Sequence, residues 1–125
     1  MTPFVLEIIT PDGKSFVAED IEQVVFRRRE HVHEQGSEVA LFPLHGPLLM
    51  RIPCTPVRYS CGGEIRHLVL GGGFVQVKGS KVLCVTPRFQ AVGVDSPEAR
   101  NVAKRIADQW LAEATDFIGS MTGFK

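Results

Sequence analysis

The chain has 125 residues, enough for one compact domain of about a hundred residues and roughly one further element. Its 14 acidic and 14 basic residues cancel, so no global field steers it toward nucleic acid or a lipid surface, and its 44% hydrophobic content is that of a folded rather than a disordered protein. No apolar run approaches the about 20 residues that span a bilayer, and the opening MTPFVLEIITPDGK lacks a basic segment followed by a small-residue cleavage site, so the chain is expected in the cytosol or against its membrane face.

Short β-type runs fill the chain from Phe4 to about Val92. The first, Phe4 to Ile9, is closed by Pro11-Asp12-Gly13, where proline presets φ and glycine accepts a positive one. Ile21 to Phe26 is the second. It leads into the charged segment from Arg27 to Gly36, which closes on glycine and suits a solvated hairpin loop. Within that segment His31 and His33 stand two apart, on one side of an extended chain, with Glu38 and His45 beyond. This spacing imitates the HxH…E pattern with which cupin jelly rolls hold a transition metal. A cupin also needs a second histidine motif downstream, and His67 lacks the glycine and proline pattern around it. Metal ligation by His31, His33 and Glu38 therefore stands as the alternative to solvated loop histidines.

The run from Glu38 to Phe42 passes into the apolar stretch VALFPLHGPLL, Val39 to Leu49. Pro43 and Pro47 each fix φ near about −65° and remove a donor, so the backbone must turn or bulge here, with His45 at the tip. A rigid apolar loop with one polar handle suits gripping another macromolecule better than turning over a substrate. Leu48 to Ile52, Val57 to Ser60, Ile65 to Leu70, Phe74 to Val77 and Val82 to Thr86 follow, with Gly62-Gly63 and Lys78-Gly79-Ser80 as hairpin turns. Gly71-Gly72-Gly73 precede neither the lysine nor the helix start of a phosphate loop, and permit instead a bulge or a close backbone approach. Strands at spacings of about 8–12 residues, with no helix-length crossover, predict a mainly β fold: an antiparallel β-sandwich of about 8–10 strands, or a flattened barrel, rather than a parallel sheet. Cys54, Cys61 and Cys84, odd in number and without CxxC spacing, read as reduced thiols among apolar neighbours.

After Gly93 the period changes. Ser96-Pro97-Glu98 starts a helix: serine caps free amides, proline suits the first turn, and glutamate complements the dipole. Ala99, Val102, Ala103, Ile106, Trp110, Ala114, Phe117 and Ile118 recur on one face, and Gly119 is expected to stop the helix near residue 118, leaving a frayed tail. One such helix cannot bury its stripe alone and must lie on the sandwich or a partner. The organisation is thus a β-sandwich over 1–92 and a helix with its tail over 93–125. No GxSxG, Walker A, GxGxxG or HExxH pattern occurs, so no catalytic residue or cofactor is assigned.

The series Thr10-Pro11-Asp12-Gly13, Phe16, Glu19-Asp20-Ile21-Glu22-Gln23-Val24, Val39 to Leu49, and Leu70-Gly71-Gly72-Gly73-Phe74-Val75-Gln76-Val77 resembles the epsilon subunit of F-type ATP synthases, called delta in mitochondria. The resemblance covers nearly the whole chain. Its most specific piece is the proline, histidine, proline, leucine, leucine series, written L-G-I-x-P-G-H-A-P-L-L in the family; Asp95-Ser96-Pro97-Glu98-Ala99-Arg100 also stands where the family begins its first C-terminal helix.

The resemblance implies a non-catalytic central-stalk subunit. It would clasp the gamma subunit with one side of its sandwich and rest one end on the c-ring, linking ion-driven rotation to ATP synthesis at the cytoplasmic face of the cell membrane. It implies ring-facing roles for Glu38 and His45, with Phe42, Pro43, Gly46 and Pro47 beside them, and further partner contacts at Arg28, His31, Gly73 and Phe74. This chain departs from the family in three ways. Ala40 and Leu44 replace loop glycines; the hairpin from Arg27 to Gln35 is longer; and the second C-terminal helix is absent, while the family's acid-x-x-arginine-alanine motif is altered to Pro97-Glu98-Ala99-Arg100-Asn101, which argues against ATP binding. The rival readings are the cupin and a sandwich-plus-helix interaction module of another complex.

Overall fold

The computed structural model describes residues 3–28, 36–41 and 47–122, with helix side chains as far as residue 114. Of the residues singled out above, His31, His33, Phe42, Pro43, Leu44, His45 and Gly46 lie outside this set. The described residues form β1 (Phe4–Ile9), β2 (Ser15–Arg28), β3 (Ser37–Leu41), β4 (Leu48–Cys61), β5 (Glu64–Lys78), β6 (Lys81–Val85), β7 (Phe89–Val94) and α1 (Pro97–Thr122).

The runs expected at 48–52 and 57–60 are one strand, as are those at 65–70 and 74–77. β4 runs on through Pro53 and Pro56, and between the two prolines a side chain joins the ladder. The Arg27 amide of β2 donates to the buried Thr55 hydroxyl at 2.9 Å, and that hydroxyl donates to the Pro56 carbonyl at 2.8 Å. β4 and β5 form a long hairpin from Leu48↔Val77 to Cys61↔Glu64, closed by Gly62-Gly63 with φ of +58° and +79°, the positive pair that a two-residue turn needs. β7, which lies beyond the last strand expected from the sequence, pairs with the first half of β5.

One pairing departs from the antiparallel expectation. β1 runs antiparallel to β2 and parallel to β6, in the register Val5↔Lys81 to Ile9↔Val85. Because β6, β5, β4 and β2 are already joined in that order, this ladder closes five strands into a ring, and β3 and β7 extend it on β2 and β5. The ring is flattened into two layers. β1, β6, the first parts of β2 and β4 and the last part of β5 make one; β3, β7 and the remaining parts make the other. Between them lie Phe4, Leu6, Ile8, Ile21, Val24, Phe26, Leu41, Val57, Leu68, Leu70, Val75 and Val82. Period-two alternation makes this possible, since Leu68 and Leu70 point inward while Val69 points outward.

Val69 is nevertheless fully buried, because α1 lies over it. Ala103, Ala107, Trp110 and Leu111 pack on Val69 and Cys54, with Val92 and Ile106 alongside. The Ser96 hydroxyl accepts the Ala99 amide at 3.0 Å, the cap expected from the sequence. The far end differs: α1 continues through Gly119 to Thr122. A glycine inside a helix costs only about 1 kcal/mol, so it does not by itself end one.

Candidate interaction surfaces

The helix covers one broad face of the sandwich. The opposite face is built from outward residues of β4, β5, β6, β1 and β2, and the registers set them in two adjacent rows. One row runs Arg51, Phe74, Val85, Ile9, Ser15; the other runs Leu49, Gln76, Leu83, Glu7, Val17. Leu49 is 71% exposed, Val17 53%, Phe74 52% and Val85 39%, and Ile9 and Leu83 are half-buried between them. Four large apolar side chains open to water on one face form a surface suited to association.

Gly73 sets the geometry of this surface. Its φ is +114°, and a Cβ there would stand 1.9 Å from the Val85 carbonyl oxygen, so β6 presses directly on the β5 backbone. The expected close approach at the triple glycine is therefore real, and it places Phe74 beside Val85. Val85 and Val17 were not singled out in the sequence, and Leu49 stood there only as the end of the apolar stretch after Pro47. Their signal was an apolar residue out of phase with the alternation, as in Leu48-Leu49-Met50 and Val82-Leu83-Cys84-Val85.

A second, polar cluster lies at the hairpin end of β2 and β3. Glu38 pairs across strands with Arg27, and its two carboxylate oxygens are taken separately: Oε1 by Arg27 Nη2 at 3.2 Å and Oε2 by Arg58 Nη2 at 2.6 Å. Glu38 thus stands engaged within its own chain, presenting guanidinium groups beside it. Arg28 is exposed and pairs with Ser37 at the end of this ladder. At the other end of β3 Leu41 pairs with Val24, and the next described residue, Pro47, is exposed.

At the junction of β7 and α1 the Asp95 carboxylate collects three N–H groups: His67 Nε2 at 2.7 Å, and Arg100 Nε and Nη2 at 2.8 Å each. Arg100 first and His67 second hold the Asp95 carboxyl well below the usual carboxylate range. His67, read above only as a failed metal motif, is a buried tether. Among the described residues no group of three or more His, Cys, Asp or Glu stands ready to hold a metal; His31 and His33, on which that alternative rests, are not among them. Cys54, Cys61 and Cys84 form no disulfide with one another, and burial pushes the Cys84 thiol up to about 12. No described helix is long and apolar enough to cross a membrane.

No family model matches the chain. It is similar to the ATP synthase epsilon chain of Bacillus cytotoxicus, at 32% identity over 114 residues that cover 90% of this chain and 80% of that one. The ATP synthase epsilon chain of Bacillus thuringiensis is 28% identical over 113 residues, with the same coverage. Among solved structures, a chain of the Tetrahymena thermophila mitochondrial ATP synthase central stalk and c-ring superposes with a TM-score of 0.57 at 10% identity, over 92% of this chain and 99% of that one.

Proposed function

Because the chain belongs to the ATP synthase epsilon-chain family, we propose that it is a non-catalytic central-stalk subunit that fastens the gamma subunit to the membrane c-ring. Ring rotation driven by ions is then passed to gamma through a rigid adaptor, and the chain reaches the cytoplasmic face of the membrane only as part of the complex. The barrel over 1–92 carries the contacts; the segment 93–125 braces one face of it.

The observation that supports this reading is the group of exposed apolar side chains in two rows on the face away from α1. Leu49, Phe74, Val85 and Val17 form the gamma-binding surface, where burial of aromatic and aliphatic side chains supplies most of the affinity. The Glu38, Arg27 and Arg58 cluster, with Arg28 beside it, meets the polar loops of the ring. There the carboxylate orients two guanidinium groups toward carbonyl and carboxylate acceptors, a contact that adds specificity more than strength.

Co-purification of the full chain with its cognate gamma subunit tests the assignment. The wild-type chain is expected to co-elute with gamma, and Phe74→Asp or Leu49→Asp to lower the affinity by about a hundredfold, while each variant keeps a melting temperature within a few degrees of wild type. A wild-type chain that binds no gamma subunit would overturn the function. Variants that bind as tightly as wild type would move the interface to another face.

A further inference from the structure

The face away from α1 carries charges of both signs beside its apolar rows, and the strand registers sort them. Arg51 ends the first row, directly across from Phe74. β4 is an edge strand there, since over Leu48–Ile52 it pairs only with β5. A third row, one step nearer the β5–β6 turn, runs Lys78, Lys81, Val5 and ends at Glu19 and Asp20, which share the place opposite Val5 where the β1–β2 register shifts. Lys81 is already paired, its Nζ donating to Glu7 at 2.7 Å. Arg51, Lys78, Glu19 and Asp20 are exposed, and among the described residues none of the four meets an opposite charge.

Two cations therefore stand on the β4–β5 side of the face and two carboxylates on the β2 side. The strands between them set the ends about 19 Å apart, at about 4.8 Å for each of four steps. That exceeds the Debye length of about 8 Å at physiological salt, so the ends do not cancel and an approaching surface meets each separately. A partner that covers Leu49 and Phe74 also reaches Arg51, two residues along β4 from the first and across the ladder from the second. A guanidinium pressed against an apolar surface with no carboxylate loses its hydration without return, which selects against a partner lacking an acidic group at that place.

Given that gamma is the partner of this face, we infer that the face admits it in one orientation, with gamma carboxylates over Arg51 and Lys78 and gamma cations over Glu19 and Asp20. The apolar rows supply adhesion, while the charges at the two ends set the rate of encounter and its register. Turned half round, the same two surfaces bring like charges together at both ends.

Association of the full chain with immobilised cognate gamma subunit, followed by surface plasmon resonance in about 0.1 M and about 1 M salt, separates these terms, because the Debye length falls from about 10 Å to about 3 Å. One double variant, Arg51→Glu with Lys78→Glu, makes the chain more acidic. The other, Glu19→Lys with Asp20→Asn, makes it more basic, and asparagine tolerates the φ of +56° that Asp20 holds. Both are expected to slow association about tenfold in the lower salt and to come within about twofold of wild type in the higher, a recovery that also certifies their fold. Slowing in both, although their charges change in opposite directions, distinguishes a polar face from attraction by net charge. One variant slower and the other faster, or either unchanged, would overturn the inference, as would a loss that persists in 1 M salt. In each of those cases wild type still binds and the gamma assignment stands; a wild-type chain that binds no gamma subunit would remove the assignment itself, and the orientation with it.

Discussion

Substituting Gly73 with alanine probes the closest backbone contact in the barrel. At φ of +114° an alanine carries backbone strain of about 1–3 kcal/mol. The new Cβ would also stand 1.9 Å from the Val85 oxygen, 2.9 Å from its carbon and 3.1 Å from Thr86 Cα, all of them main chain, so the end of β6 must retreat by about 1 Å to reach even the tightest real contact. Val85 is bound on both sides, to Phe74 of β5 and Ile9 of β1, and the Thr86 amide reaches the Ile9 carbonyl at 3.1 Å. Displacing that corner weakens two or so backbone hydrogen bonds, at about 0.5–1.5 kcal/mol each. The total is about 2–6 kcal/mol, or about 8–24 °C in melting temperature for a chain of this size. Gly79→Ala is the control: φ is +59° and no atom lies within 4 Å, so only a left-handed strain of about 1–2 kcal/mol applies. Thermal unfolding followed by circular dichroism compares the two. If Gly73→Ala melts within about 3 °C of Gly79→Ala, the contact does not hold the barrel as argued.

Three further outcomes follow from the polar groups. The Asp95 carboxyl is lowered in the folded protein, so its contribution to stability is fully present above about pH 4 and is lost as the pH falls below that; urea midpoints at pH 7 and pH 3 should differ less in Asp95→Asn than in wild type, and an equal difference would refute the tether. Cys84 is buried with its thiol raised to about 12, whereas Cys61 is half-exposed, so a chromogenic disulfide at pH 8 should label Cys61 quickly and Cys84 only as fast as the barrel unfolds. Equal labelling rates would show that the core opens locally around β6. Glu38→Gln should change stability by less than about 1 kcal/mol, since both of its ion pairs are solvated, and should act on coupling in the assembled enzyme instead; a large drop in melting temperature would make Glu38 a structural residue.

Local chemistry was legible in the sequence. Phe4 to Ile9 forms the strand that its alternation predicts, Gly62-Gly63 makes the expected hairpin, and Ser96 caps the helix through its hydroxyl. Long-range partnership was not legible. Nothing near Val5 or Lys81 announces that they pair in parallel, because that register is fixed only when the intervening strands are in place. The stretch from Pro53 to Pro56 fell between two expected runs, and the Thr55 hydroxyl that takes the Arg27 amide there has no signature of its own. The same limit applied to the surfaces. Phe74 could be picked out beside its glycines, but Leu49, Val85 and Val17 join it only through four ladders. Asp95 and Arg100 read as a helix start, and their meeting with His67 required the β5–β7 register.

The parallel β1–β6 ladder also bears on how the chain is made. β1 leaves the ribosome before its partner and is among the last strands to be satisfied, for Val5 to Ile9 must wait until Lys81 to Val85 have emerged. At about 5–20 residues per second that is a delay of several seconds, during which one edge of β1 and its inward Leu6 and Ile8 stand open to chaperones or to other nascent chains. A product truncated ahead of β6 can never shut this seam. Ring closure therefore doubles as a test of completeness, passed only by chains long enough to reach back to their own beginning.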